Sequence, residues 1–202
     1  MRIGVFGGTF DPVHVGHLIH AEQCRAQAKL DLVLFVPAAL PPHKQGRELT
    51  PFAHRAEMLT LAISGNAAFC VDEIEKDRAG PSYTVETLTQ LHERQPGDEW
   101  CFILGSDSLC DLHLWYQPRR ILELAELIVV ERPDSPVFSV ADLKSKLQLP
   151  ADFGLRYQRV EAPLIGIASR DIRKRLAEGR SVRYMIPRAV EAYIEDKGLY
   201  SS

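Results

Sequence analysis

Long apolar runs are missing from this chain, and none reaches the length that crosses a bilayer. Cysteine is scarce, with four in 202 residues and no Cys-x-x-Cys spacing. That speaks against a disulfide framework, and Cys24, Cys70, Cys101 and Cys110 read as reduced thiols, most of them in apolar core segments. Neither sign of charge prevails: 24 Lys and Arg face 27 Asp and Glu, a formal charge of -3. Such a balance gives no basis for wholesale nucleic-acid binding. Internal repeats and low-complexity linkers are absent too. The chain opens on an apolar strand rather than on a charged segment followed by a cleavable apolar helix. The expectation is a cytoplasmic protein without a membrane partner.

What is present is an alternation. Apolar β-type runs recur at Ile3–Phe6, Leu32–Val36, Phe69–Val71, Trp100–Leu104 and Leu127–Val130, with a weaker one at Tyr157–Val160. Helical periodicity fills the gaps near Leu18–Ala28, Phe52–Ile63, Val85–Glu93 and Pro118–Ala125. Strand-helix alternation predicts an α/β fold, a doubly wound parallel sheet of Rossmann-like type. A small C-terminal helical part follows, with Ser169 as N-cap of a helix over Asp171–Glu178 and Gly179 as its stop. Pro187 falls in the first turn of a last helix that Gly198 ends. Pro37–Pro51 and Pro133–Val140 read as long loops. At this length one domain is expected, with a core over 1–165 and C-terminal helices over 166–202. In such sheets ligands lie beyond the carboxyl ends of the strands.

The most informative segment follows the first strand: Gly7-Gly8-Thr9-Phe10-Asp11-Pro12-Val13-His14-Val15-Gly16-His17-Leu18. Its glycines allow close backbone approach, and a helix N-terminus offers amide donors to an anion. His14 and His17, three residues apart, place two imidazoles on one side of that helix end. It is not a P-loop, because no lysine follows the glycines. Nor is it a dinucleotide fingerprint, because the glycines fall at 4, 7 and 8 and no acid lies in 32–42. A zinc protease would need His-Glu-x-x-His, which is absent, and only His20 offers a nearby third ligand. His20, His54, His92 and His113 are assigned to structural roles, and no metal ligand set is expected. The constellation suits chemistry on phosphates.

Four further motifs are distributed along the chain. Pro41-Pro42-His43-Lys44 presents a cation on a stiff loop after the second strand. Arg78-x-Gly80-x-Ser82-Tyr83-Thr84 runs into a helix, whose positive end favours a small carboxylate. Gly105-Ser106-Asp107-Ser108 closes the fourth strand with an acid suited to ribose hydroxyls or to water around a metal, and Trp115-Tyr116 lies just beyond, its indole either part of the core or a platform for a ring. Ile167-Ala168-Ser169-Arg170-Asp171-Ile172-Arg173 opens a helix with an arginine one turn in, an arrangement that cradles polyphosphate.

These motifs, in this order, resemble those of the His-x-Gly-His nucleotidylyltransferases, and among them the bacterial nicotinate-nucleotide adenylyltransferases. The likeness extends from Gly7 to the ending Val190-x-x-Tyr193-Ile194-x-x-x-Gly198-Leu199-Tyr200. It implies a Rossmann-like fold and an enzyme that uses ATP with Mg²⁺, transfers AMP to nicotinate mononucleotide and releases pyrophosphate. It also implies roles. His14 and His17 would contact ATP phosphates within a cradle of Gly7, Gly8, Thr9 and Phe10. Lys44 would hold phosphate, and Asp107 the adenosine ribose. Ser82, Tyr83, Thr84, Trp115 and Tyr116 would surround the nicotinate ring, while Ser169, Arg170 and Arg173 would grip the polyphosphate. One departure stands out: the family usually reads Ile-Ser-Ser/Ala-Thr-x-Ile-Arg where this chain has Ile167-Ala168-Ser169-Arg170-Asp171-Ile172-Arg173. Two hydroxyls are missing, and Arg170 stands where one of them would be. The alternatives are nicotinamide mononucleotide or another phosphorylated acceptor such as pantetheine phosphate, or a nucleotide-binding regulator without turnover.

Overall fold

The computed structural model describes residues 1–42, 48–131, 139–150 and 152–201. Six strands form one sheet: β1 (Arg2–Gly8), β2 (Leu32–Pro37), β3 (Phe69–Val71), β4 (Glu99–Gly105), β5 (Glu126–Glu131) and β6 (Tyr157–Glu161). Their order across the sheet is β3-β2-β1-β4-β5-β6, and every pairing is parallel. All six expected strands are present, and the doubly wound α/β class is observed. The order reverses between β1 and β4, which opens a crevice at their carboxyl ends.

Strand side chains alternate between two apolar cores because their period is two. Ile3, Val5, Leu34, Val36, Trp100, Phe102, Leu104, Leu127 and Val129 enter one core. There they meet α3 (Thr84–Arg94), α4 (Ser106–Cys110), α5 (Pro118–Leu124) and α6 (Val140–Lys146). Val33, Phe35, Cys101, Ile103, Ile128 and Val130 enter the other. There they meet α1 (Val15–Gln27), α2 (Phe52–Ile63), α7 (Ser169–Ala177) and α8 (Arg188–Lys197). Ile172, Val190 and Ile194 share this second core with Val13, Met58 and Leu59, so the tail helices pack on the sheet layer itself.

The expected bounds need several corrections. Val140, expected at the end of a loop, begins helix α6. The Ser139 hydroxyl accepts the Asp142 amide at 3.2 Å and caps it. A second short helix, α4, directly follows β4. Ser169 is the first residue of α7, flanked by Ala168, and is not its cap; its hydroxyl donates to the Pro12 carbonyl at 2.9 Å. Pro187 lies just outside α8, while Gly198 stops it in the left-handed region at φ 59° as expected. Of the cysteines, Cys24 and Cys101 are buried and Cys110 half-buried, but Cys70 on edge strand β3 is exposed. Burial pushes the Cys24 and Cys101 thiols up to about 12.

Gly4 at the centre of β1 has no room for a side chain. A Cβ there would stand 2.6 Å from Leu30 Cδ1 and 2.9 Å from Ile103 Cδ1, both in buried side chains. Gly4→Ala should therefore destabilise the fold by about 1–3 kcal/mol through overpacking. In urea unfolding the midpoint should fall with the slope unchanged.

Candidate active site

The loop between β1 and α1 is held by a buried carboxylate. Asp11 is 3% exposed. Its Oδ1 accepts the Tyr200 hydroxyl at 2.6 Å, and Oδ2 accepts the Thr50 amide at 3.4 Å. Arg173 of α7 donates to the Asp11 carbonyl at 2.5 Å and lies 4.0 Å from its carboxylate. Arg55 of α2, itself buried, donates to the carbonyls of Thr9, Ala38 and Thr50 at 2.8–2.9 Å. The loop is thus tied to α2, α7 and the C-terminal segment.

On this support α1 begins. The His14 and His17 rings stack, with centroids 3.7 Å apart. Gly16 makes room for this, since a Cβ there would come within 3.0 Å of His14 Nδ1. The His14 amide donates to His17 Nδ1 at 3.2 Å. A neutral His17 therefore carries its proton on Nε2 and presents a donor there. Behind it, Phe10 packs edge-on at 5.0 Å between centroids. Phe10 is 2% exposed and belongs to the core, so any part it plays at the site falls to its backbone.

The amides of the α1 end are less available than the sequence suggests. Val15 donates to the Met185 carbonyl at 3.0 Å and His17 to the His14 carbonyl at 3.0 Å. Gly16, between them, lines one cavity of about 440 Å³ together with the imidazoles and the opposing start of α7. His14, His17, Ser169, Arg170 and Arg173 all line it. His20 lines it as well, one further turn along the face that carries His17. Of the remaining histidines assigned to structural roles, His54 meets Tyr193 Oη at 2.8 Å, His92 the Leu124 carbonyl at 2.6 Å and His113 the Cys110 carbonyl at 3.0 Å. Arg170 stands at the cavity mouth, its side chain 82% exposed and 3.5 Å from Asp171.

A second cleft of about 140 Å³ is lined by Ser82, Tyr83, Thr84, Trp115 and Tyr116 with Pro42, Leu114 and Ile121. All five residues expected around a ring come together here. Leu114, which no motif marks in the sequence, directly precedes Trp115-Tyr116 and joins the lining. The Tyr83 and Tyr116 rings lie 4.6 Å apart, and Trp115 packs edge-on against Phe102 at 6.0 Å. Thr84 opens α3 without a side-chain capping bond. Ser82 is buried; its Oγ accepts the Leu40 amide at 3.0 Å and its amide donates to the Leu40 carbonyl at 2.8 Å. Gly7, Gly8, Thr9 and Asp107 line neither cavity. They follow or end β1 and β4, the strands that flank the crevice. Lys44 lies outside the described residues.

Among the described residues, one cluster could offer metal ligands, Glu99, Cys101 and Glu126, with ligand atoms within 4.8 Å of one another. It sits at the opposite, amino ends of β4 and β5, where Arg2 ion-pairs with both glutamates. No helix among the described residues is long and apolar enough to cross a membrane.

A parallel sheet in this order, with its cavities at the carboxyl edge, defines an α/β nucleotide-binding class. Comparison with known proteins narrows it. Residues 5–175 match the cytidylyltransferase-like family model. The "Probable nicotinate-nucleotide adenylyltransferase" of Thermomicrobium roseum is 48% identical over 98% of this chain and 91% of its own length. That of Thermus thermophilus is 46% identical over 99% and 100%. The fold of Plasmodium falciparum nicotinic acid mononucleotide adenylyltransferase, solved with NaAD, superposes with a TM-score of 0.78. It covers 98% of this chain and 97% of its own at 22% identity. The chain belongs to the cytidylyltransferase-like family and, within it, to the nicotinate-nucleotide adenylyltransferases.

The Asp11–Tyr200 bond makes a stability prediction. Burial, followed by the bond to Asp11, holds the Tyr200 phenol well above its ordinary value of 10.0. Below that pH the phenol keeps its proton whether folded or unfolded, and the bond contributes in full. Above it the unfolded phenol ionises first, and the contribution is lost as pH rises. Tyr200→Phe should cost about 1–3 kcal/mol at neutral pH, and the gap to wild type should close above pH ~10. Urea unfolding across that range checks it.

Proposed function

We propose that this protein transfers AMP from ATP to nicotinate mononucleotide, giving nicotinate adenine dinucleotide and pyrophosphate. The observation that carries the reading is the pair of cavities at one sheet edge. One is lined by imidazoles and guanidinium groups, the other by aromatic rings and a helix start. The relatives' names support the same activity.

In this reading the acceptor's phosphate oxygen, already an anion, attacks the α-phosphorus in line. The bond from that phosphorus to the bridging oxygen breaks, and pyrophosphate leaves with the electron pair. No proton need be abstracted, so the protein's work is positioning and charge stabilisation. His17 Nε2–H, His14 and Arg173 meet the phosphates, with Ser169 at the start of α7 and Arg170 at the mouth. Backbone of Gly7, Gly8, Thr9 and Phe10 lies along the nucleotide, Asp107 takes the ribose and Lys44 the phosphate. Ser82, Tyr83, Thr84, Trp115 and Tyr116 hold the ring. The C-terminal helices complete the ATP side. Among the described residues, Glu48 is the one carboxylate lining the phosphate cavity. A donor set of this kind suits Mg²⁺ that arrives held by ATP and water, with few protein ligands. Four unbridged cysteines support a reducing, cytoplasmic setting.

Two experiments test the reading. His17→Ala should lower kcat about 100-fold, the scale of losing one donor to developing charge, with ATP binding changed far less. A folded variant with wild-type turnover would reject the assignment. Competition between nicotinate and nicotinamide mononucleotides tests the acceptor. A donor left facing an amide NH₂ costs about 1–3 kcal/mol, so kcat/KM should favour nicotinate by roughly 5- to 150-fold, and Thr84→Ala should narrow the gap. Equal rates would overturn the substrate while leaving adenylyl transfer intact.

A further inference from the structure

Behind the ring cleft, and touching neither cavity, lies a buried polar knot. Thr87 on α3 is 3% exposed. Its hydroxyl donates to Glu75 Oε1 at 2.5 Å and accepts from Arg78 Nη1 at 2.9 Å. The side chains of Glu75 and Arg78 are each 7% exposed, and their charged atoms lie 3.7 Å apart. We propose that Thr87, with Glu75 and Arg78, is a positioning residue for acceptor recognition. The knot holds the start of α3 and the segment after β2 in one arrangement, and so sets affinity for the pyridine mononucleotide but not for ATP.

The outward contacts of the knot give the argument. Arg78 Nη1 donates to the Tyr83 carbonyl at 3.4 Å, which fixes the peptide that leads into Thr84. Its Nη2 donates to Gln90 at 2.7 Å, one turn beyond Thr87 on the same helix. Glu75 Oε2 accepts the Ala39 amide at 3.3 Å. The next residue, Leu40, is clamped on both sides by Ser82, itself in the cleft lining. Two reaches of the knot, to the Tyr83 carbonyl and the Ala39 amide, thus end on backbone that leads into the cleft lining, while Gln90 and Glu86 tie Arg78 to α3 itself. None ends on α1 or α7, which line the phosphate cavity.

Stability alone does not account for such a device. A well-packed apolar cluster would hold α3 at least as firmly as a buried ion pair, whose desolvation offsets most of its attraction. A polar knot adds direction, because its bonds specify where the Tyr83 carbonyl and the Ala39 amide stand. Directional control matters where a helix start must present donors to a planar, charged ring substituent, and an error of about 1 Å weakens such contacts steeply.

The inference rests on the acceptor assignment above, and steady-state kinetics of the full chain test it. Thr87→Val removes the hydroxyl at nearly constant shape, whereas Thr87→Ser keeps it. Thr87→Val should raise KM for nicotinate mononucleotide about 10-fold, the scale of one lost hydrogen bond to charged partners, while KM for ATP moves less than about 2-fold. Thr87→Ser should restore values near wild type. Should Thr87→Val fail to fold, Arg78→Lys keeps the charge beside Glu75 but drops bonds to Tyr83 or Gln90, and the same selective rise is expected. An unchanged acceptor KM in a folded variant overturns the inference, and so does a matching rise in KM for ATP. A wild-type protein that turns over no pyridine mononucleotide overturns the acceptor assignment and this inference with it. Wild-type turnover beside unmoved variants overturns the inference alone.

Discussion

The site depends on one buried carboxylate. Asp11 follows the first strand, yet its carboxylate accepts from Thr50 and from Tyr200, 189 positions away, with Arg173 at 4.0 Å. A carboxylate out of water needs such partners, since each unmet hydrogen bond would cost as much as a sizeable share of net stability. Satisfying them forces the loop before α1, the approach to α2 and the C-terminal segment to meet at one point. With the Ser169–Pro12 bond and the packing of Ile172 near Val13, this brings Arg173 opposite the stacked imidazoles. Burial lowers the pKa of neighbouring Arg55, and the charge of Asp11 opposes that shift.

The sheet supplies the second constraint. Because its order reverses between β1 and β4, the loops leaving those strands diverge and leave a crevice that no side chain of the core fills. Motifs far apart in sequence gather there because all strands run the same way and all their carboxyl ends lie at one edge. The loop after β1, the segment after β2, the start of α3 and the turn after β4 become neighbours through topology alone.

Much of this is legible in the sequence, for physical reasons. Buried strands such as Leu32–Pro37 declare themselves by unbroken apolar runs, and α2 by its periodicity, so the parallel sheet follows from the alternation. The ring cleft is legible because Ser82-Tyr83-Thr84 and Trp115-Tyr116 are compact local signals. What escapes depends on tertiary partners. Nothing near Val15 shows that its amide is taken by Met185, and nothing near Ser169 shows that its hydroxyl serves Pro12 rather than its own helix. The i, i+3 spacing of His14, His17 and His20 puts all three on one helix face, but that the cavity reaches as far as His20 depends on tertiary placement. Helix α6 is short, and its start adjoins a proline-containing stretch that hides it.

The two cavities stand on opposite sides of the sheet layer. Val85, Leu109, Leu112 and Ile121 underlie the ring cleft in one core, and Phe10, Val13 and Ile172 underlie the phosphate cavity in the other. Packing changes propagate most readily within a close-packed cluster, and here the strands' own backbone partitions the two. In an evolving lineage, drift in the first core can reshape which small molecule is welcomed while the reactive centre is inherited intact. A fold divided in this way lets one chemistry be handed from acceptor to acceptor, with new specificities arising by repacking a single face.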